Sequence, residues 1–170
     1  LFRSGGSASV QRMTDMAVIR SAGPEDAASL LALMRRAFGE YRGVLQPESS
    51  VFVETEAAIA GKLAQGGGFI AEQGGHPVGC VIAEAKGERG YLGRLSVLPE
   101  ARRAGIARRL MLAGEAFLRT RGLAAAEINV RIALAGNIAL FAALGYRETA
   151  RRAHPGWPQP TYLVMEKILE

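Results

Sequence analysis

Leu95-Ser96-Val97-Leu98-Pro99-Glu100-Ala101-Arg102-Arg103-Ala104-Gly105-Ile106-Ala107-Arg108-Arg109-Leu110 decides the fold. It reads as an apolar strand, a proline that ends it, and a helix entered through a glycine. Over residues 105–121, Ile106, Leu110, Ala113 and Phe117 recur on one face at the helical period, and Gly122 stands where a left-handed C-terminal cap belongs. The helix start is electrostatically odd. Arg102 and Arg103 sit where the positive end of the macrodipole disfavours cations, with only Glu100 nearby as an acid. A phosphate-like anion would accept the unpaired N–H groups of the first turn and neutralise the arginines, and Gly105 and Ala107 leave the backbone room to approach it. An arginine-rich helix start is more often a solvated basic face. Here the spacing Arg-x-x-Gly-x-Ala follows a strand and a proline turn, which favours the anion.

Composition bounds what surrounds this stretch. A chain of 170 residues is one domain, long enough to bury ~70% of its unfolded surface in a single core. The lone Cys80 excludes an intrachain disulfide and any cysteine-rich metal site, and with only His76 and His154 no zinc is expected. No apolar run approaches the ~20 residues that span a bilayer, so no membrane partner is expected. Residues 1–15, rich in Ser, Gly and Arg with no apolar core, read as a disordered leader or an expression remnant rather than a signal peptide, and the cytoplasm is the expected location. The net charge of +5 favours anionic ligands. It does not single out nucleic acid: the arginines are dispersed and no basic-aromatic interleaving is present.

Met16 to Ser21 predicts a short strand, and Gly23-Pro24 then opens a helix over 24–38 with Ala27, Leu30, Leu31, Met34 and Phe38 facing a sheet. After a Gly/Pro/Ser-rich loop, Phe52 to Gln65 predicts a second helix with Phe52, Ile59 and Leu63 inward. Phe69–Glu72 and Val78–Glu84 form a hairpin around Gly74-Gly75-His76-Pro77, and the second strand, apolar on both faces, belongs in the middle of a sheet with Cys80 as a buried small hydrophobe. Tyr91 to Leu98 is the strand that feeds the opening motif. Ala125–Arg131 predicts a further strand, Asn137–Leu144 a short helix that Asn137 can cap, and Tyr146–Ala153 and Thr161–Ile168 two more strands joined by a three-proline loop. The order β-α-α-β-β-β-α-β-α-β-β describes an α/β fold, a mixed sheet with helices on its faces.

At Arg102-Arg103-Ala104-Gly105-Ile106-Ala107 the chain resembles the acetyl-CoA signature, Gln/Arg-x-x-Gly-x-Gly/Ala, of the GNAT family of N-acetyltransferases. Asn137-Ile138-Ala139-Leu140-Phe141-Ala142-Ala143-Leu144-Gly145-Tyr146 resembles that family's second signature, commonly Asn-x-x-Ala/Leu-x-Tyr-x-x-x-Gly-Phe. The resemblance spans residues 16–170 as a single acetyltransferase domain, and it implies a mostly antiparallel mixed sheet flanked by about four helices. It also implies an enzyme that moves acetyl from acetyl-CoA to a primary amine by direct attack within a ternary complex. The acceptor would be a small-molecule or peptide amine, with no metal required. Homodimers are common in the family, and nothing in the chain specifies an interface.

Carried over residue by residue, the resemblance implies that the backbone of Arg102, Arg103, Ala104, Gly105, Ile106 and Ala107 holds the pyrophosphate. Leu95, Ser96 and Val97 would pair with the pantetheine arm as an added strand, with the Val97 N–H as donor to the acyl oxygen. Asn137 would lie near the cofactor and Phe141 at its thiol end. Phe141 departs from the family's frequent tyrosine, whose phenol can protonate the leaving thiolate. The proton would then come through water, Tyr146 or Tyr41, or the chain is a non-catalytic acyl-CoA-binding sensor or assembly module. Candidates for the base are Glu84, Glu54, Glu40 and His154. Tyr41 and Trp157 lie in loops that border the family's acceptor site. The run from Arg131 to Gly136, longer than in many members, is expected to reshape the acceptor pocket.

Overall fold

The computed structural model describes residues 16–170, and the expected leader lies outside the described residues. Seven strands form one sheet: β1 (Val18–Ala22), β2 (Gly67–Gln73), β3 (His76–Lys86), β4 (Arg89–Val97), β5 (Ala125–Arg131), β6 (Arg147–Arg152) and β7 (Tyr162–Ile168). Their spatial order is β1-β2-β3-β4-β5-β7-β6. Every neighbouring pair is antiparallel except β4 with β5. β3 is an interior strand, third of the seven, and Val78 to Ala83 are buried on both faces, as its uninterrupted apolar run requires. Cys80 is fully buried there, its thiol pushed up to about 12 by burial.

Four α-helices cover the sheet: α1 (Ala27–Phe38), α2 (Glu56–Gln65), α3 (Ile106–Thr120) and α4 (Ala135–Ala143). α1 follows a 3-10 turn, Pro24–Asp26, rather than starting at Pro24, and the Gly23 N–H donates to Asp26 Oδ2 at 3.0 Å. α2 starts four residues later than its apolar pattern predicts. Thr55 Oγ1 accepts from the Ala58 N–H at 3.1 Å and fixes the start, while Ser50–Phe52 form a separate 3-10 turn. α4 starts two residues earlier than predicted, with Leu134 at its N-cap, so Asn137 lies inside the first turn and caps nothing. The inward stripe of α3 is also rotated from the predicted one. Ile106, Leu110, Met111, Gly114 and Leu118 are buried, and Ala113 and Phe117 are only half-buried. Gly114 permits the close approach, since a Cβ there would stand 2.7 Å from Leu92 Cδ2.

On the same helix, fully buried Glu115 ties α3 to the far side of the sheet. Its Oε1 accepts from the Tyr146 hydroxyl at 3.0 Å, and Lys167 Nζ reaches Oε2 at 3.0 Å. The buried carboxylate is thereby paired and hydrogen-bonded, the condition under which an interior charge is tolerated.

Two strands that should run side by side here part instead. β4 and β5 pair only at Gly90↔Ala126 and Tyr91↔Glu127. Beyond Tyr91, β4 has no strand partner on that side among the described residues. A bulge contributes to the divergence: the β3–β4 register shifts between Cys80 and Ile82, and Arg94, facing it on β4, is left-handed at φ 57°. The Arg94 side chain holds that conformation, its Nε donating to Glu54 Oε2 at 3.0 Å and its Nη2 to Ser50 Oγ at 2.9 Å.

Candidate active site

The turn between β4 and α3 carries two left-handed residues, Arg103 at φ 65° and Gly105 at φ 73°. Arg103 is a non-glycine residue in a conformation that costs ~1–2 kcal/mol, strain of the kind concentrated at binding turns. Gly105 is the N-cap of α3 and has no side chain to offer, and the first backbone bond closing the helix is Arg109 N–H to the Gly105 carbonyl at 3.1 Å. The N–H groups of Ile106, Ala107 and Arg108 are therefore presented outward. A Cβ on Gly105 would meet nothing within 4 Å, so the backbone is open to an approaching group.

The arginines around this turn divide into two sets. Arg102 is already neutralised: its Nε donates to the Val97 carbonyl at 3.1 Å and its Nη1 lies 2.6 Å from Glu40 Oε1. Arg109 donates to the Ala17 carbonyl at 2.7 Å, and Glu100 pairs with Arg36 rather than with the turn. Arg103 and Arg108 are the two that line a cavity with no acidic partner among the described residues. The groups of this turn able to receive an anion are thus these two side chains and the three N–H groups.

Two cavities run along the divergence of β4 and β5. One, of about 540 Å³, is lined by Leu95, Ser96, Val97, Arg102, Arg103, Gly105, Ile106 and Ala107 from the strand and turn, with Asn137 and Phe141 from α4. It contains every cofactor position expected from sequence except Ala104, which is exposed and lies outside the lining. The other, of about 370 Å³, is lined by Glu84, Tyr91, Arg94, Arg131, His154 and Tyr162 among others. Phe38, Leu95, Asn137 and Phe141 line both, so the cavities meet at these four side chains. The Leu98 N–H donates to the Val78 carbonyl at 2.9 Å. By strand alternation the N–H groups of Val97 and Leu95 face the opposite way, into the divergence.

The remaining candidates sort by position. His154 lies in the second cavity, its Nδ1 against Thr161 Oγ1 and its ring 5.0 Å from that of Tyr162. Burial, and then the charge of Arg131, hold the imidazole below its ordinary pKa, so it is neutral and able to accept a proton at neutral pH. Glu84 lines the same cavity but sits opposite Tyr91, four residues before Leu95 and ~13 Å of strand from the junction. Glu54 and Glu40 are taken by ion pairs with Arg94 and Arg102. Burial raises the Glu54 carboxyl, but Arg94 and Lys62 outweigh it and hold it low.

Three sequence candidates stand apart from the second cavity. Tyr146 lines neither cavity: it is 2% exposed with its hydroxyl committed to Glu115, and burial followed by that carboxylate pushes the phenol far up. Tyr41 lines the first cavity, not the second, packed edge-on against Phe38 at 5.9 Å. Trp157 lines neither. Sequence reasoning also missed Phe38 at the junction, which read only as a core position of α1, and Arg94, whose left-handed backbone has no signature in a non-glycine residue.

A mixed sheet opened between its fourth and fifth strands, with an anion-receptive helix start at one end of the opening, defines an acyltransferase-type fold. The Acetyltransferase (GNAT) family matches residues 30–146, and the chain belongs to that family. Among curated proteins it is 39% identical over 87 residues to the mycothiol acetyltransferase of Thermobispora bispora, an alignment covering 47% of this chain and 30% of that protein. The matched region is thus less than a third of that relative's length. The PaiA N-acetyltransferase of Thermoplasma acidophilum, solved in complex with coenzyme A, superposes with a TM-score of 0.74 at 17% identity over 89% of this chain and 98% of that one. The ribosomal-protein-S18-alanine N-acetyltransferase of Escherichia coli superposes with a TM-score of 0.73 at 23% identity, over 91% and 94%. At these identities the structures speak for the fold. No helix among the described residues is long and apolar enough to cross a membrane.

Proposed function

We propose that the chain transfers acetyl from acetyl-CoA to a primary amine, the cofactor in the first cavity and the amine in the second, the two meeting at Phe38, Leu95, Asn137 and Phe141. That junction is the observation that carries the reading, because direct transfer needs both reactants to reach one point from separate sides. The cofactor fits the first cavity on the grounds given by the chain itself: three outward N–H groups, Arg103 and Arg108, and open space over Gly105.

Acetyl-CoA supplies an acyl group activated as a thioester. Every other requirement falls to the protein. The Val97 and Leu95 N–H groups face the opening, and since Leu95 lines both cavities whereas Val97 lines only the first, Leu95 is the better donor to the acyl oxygen and Val97 the better partner for the pantetheine arm. His154 accepts the proton of the incoming amine. Tyr41 is the phenol lining the cofactor cavity, and burial together with its hydrogen bond to Glu40 raises its pKa, so it is a protonated group able to serve the departing thiolate.

Calorimetric titration of acetyl-CoA, CoA and desulfo-CoA into wild type, Gly105→Ala and Gly105→Glu tests the cofactor site. Each variant carries the strain of a side chain at φ 73°, and only Gly105→Glu adds a carboxylate where the pyrophosphate should lie. Binding retained by Gly105→Ala and lost by Gly105→Glu supports the site, and absence of binding to wild type refutes it. Phe141 at the junction favours one competing reading, a non-catalytic acyl-CoA sensor. Thiol release measured over a panel of amines decides between them, since a sensor binds without turnover.

A further inference from the structure

The acceptor-side cavity is lined by three cations, and two of them have partners. Lys62 Nζ lies 3.4 Å from Glu54 Oε1, and Arg94 Nε donates to Glu54 Oε2 at 3.0 Å. The third, Arg131, has no carboxylate within 4.0 Å among the described residues, and its side-chain bond goes to the Pro47 carbonyl. That bond occupies one of five N–H donors and none of the charge. Burial lowers the Arg131 pKa, so the site already bears part of the desolvation cost of a guanidinium without the anion that normally offsets it.

Its position fits a ligand role. Tyr91 on β4 pairs with Glu127 on β5, and four residues further along each strand stand Leu95 and Arg131, ~13 Å beyond the last paired position. Arg131 therefore faces the opening at the level of the junction, from the strand opposite Leu95. It is paired with Tyr162 on β7, whose ring contacts His154. The guanidinium, the imidazole and the Leu95 backbone thus border the same end of the cavity.

Resting on the acetyl-transfer reading, we propose that the acceptor is an amine that also carries a carboxylate, and that Arg131 binds that carboxylate while the amine points to the junction. A guanidinium fork matches a carboxylate in plane and by two parallel bonds, which a phenol or imidazole cannot do. The placement beside His154 then orients the amine toward the group that accepts its proton.

The test compares acceptors that differ only at the carboxylate: free amino acids and dipeptides against their C-terminal amides, with arylalkylamines and polyamines as amines lacking it. Wild type should prefer acids over amides by ~10–100-fold in kcat/KM, the worth of a charge-assisted pair. Arg131→Gln should bring the acid-to-amide ratio of kcat/KM near unity, read as a ratio within each variant at one pH, and Arg131→Lys should keep part of it. A readout independent of turnover is the His154 ring signal in NMR titrations with acetate and acetamide. A saturable shift with acetate alone, lost in Arg131→Gln, is expected. Amides served as well as acids, an acid preference that survives Arg131→Gln, or no saturable acetate response would each overturn the inference. Turnover without an acid preference removes this inference alone, whereas no turnover of any amine removes the acetyl-transfer reading and this inference with it.

Discussion

Tyr146→Phe separates a structural phenol from a catalytic one. The hydroxyl sits 3.0 Å from Glu115 Oε1 inside the protein, and neither cavity includes the residue. Removing it deletes one hydrogen bond to a buried carboxylate, a contribution of ~1.5–3 kcal/mol for bonds to charged groups. The ring contacts survive, because Phe keeps the edge-on packing against Phe141 at 6.1 Å and the face presented to Lys167. Lys167 also remains 3.0 Å from Glu115 Oε2, so the carboxylate is not left alone and the loss should stay near ~2 kcal/mol rather than the ~3–5 kcal/mol of a broken buried pair. For a domain of this size that lowers Tm by ~4–8 °C.

The same substitution has a signed pH signature. The folded-state phenol is raised above its ordinary value of 10.0, so the unfolded chain releases this proton first. Wild-type stability from this group is complete below pH ~10 and falls above it by ~1.4 kcal/mol per pH unit, and Tyr146→Phe should lack that component. The assay is urea unfolding at pH 8 and pH 10.5, alongside kcat from thiol release at pH 7.5. A tenfold fall in kcat with unchanged Tm would refute the structural assignment and return Tyr146 to the chemistry.

Three further outcomes are expected. The acid limb of kcat/KM should lie below pH 6.5 and shift upward in Arg131→Gln, which removes one of the two causes holding His154 low, and an unshifted limb would exclude His154 as the base. Cys80→Ala should shrink the loss of stability above pH 9, since the thiol titrates at 9.0 unfolded and at about 12 folded; unfolding curves at pH 8 and pH 10 read it, and an unchanged slope would show that the thiol does not contribute. Arg94→Ala should cost ~3 kcal/mol by leaving Glu54, 9% exposed, with only Lys62 at 3.4 Å, and adding Glu54→Gln should recover part of that; strict additivity in denaturant unfolding would disprove the coupling.

The elements and their order were legible because each is written locally. β3 announces its interior place by an apolar run on both faces, and α3 by its period and by Gly122 at φ 73°. The errors came where a local signal had a nonlocal competitor. Asn137 is a good cap residue, but the chain turns into α4 at Leu134, so the amide lies inside the helix and its place at the cavity junction comes from tertiary position. Tyr146 is close in sequence to Phe141, yet its hydroxyl faces Glu115 across 31 positions of chain.

The legible and illegible halves of the site differ in physical kind. The anion-receptive turn at Gly105 is a backbone conformation and a few outward N–H groups, all set within six residues, so a short stretch suffices to write it. The second cavity is assembled from β3, β4, β5, the loop before α2 and the loop after β6, and no spacing along the chain encodes which charges there find partners. Glu54 shows this most directly. As a carboxylate it ranked with the base candidates, but the fold places it against Arg94 at the bulge that helps open the sheet, so its charge is spent holding the opening rather than taking a proton. Arg131, by contrast, read as the end of a strand and the start of a long run, and the fold makes it the cation of the second cavity with no carboxylate in reach among the described residues. On the proposed reading, acceptor specificity in this chain is set by which cation of the second cavity is left without an internal carboxylate among the described residues.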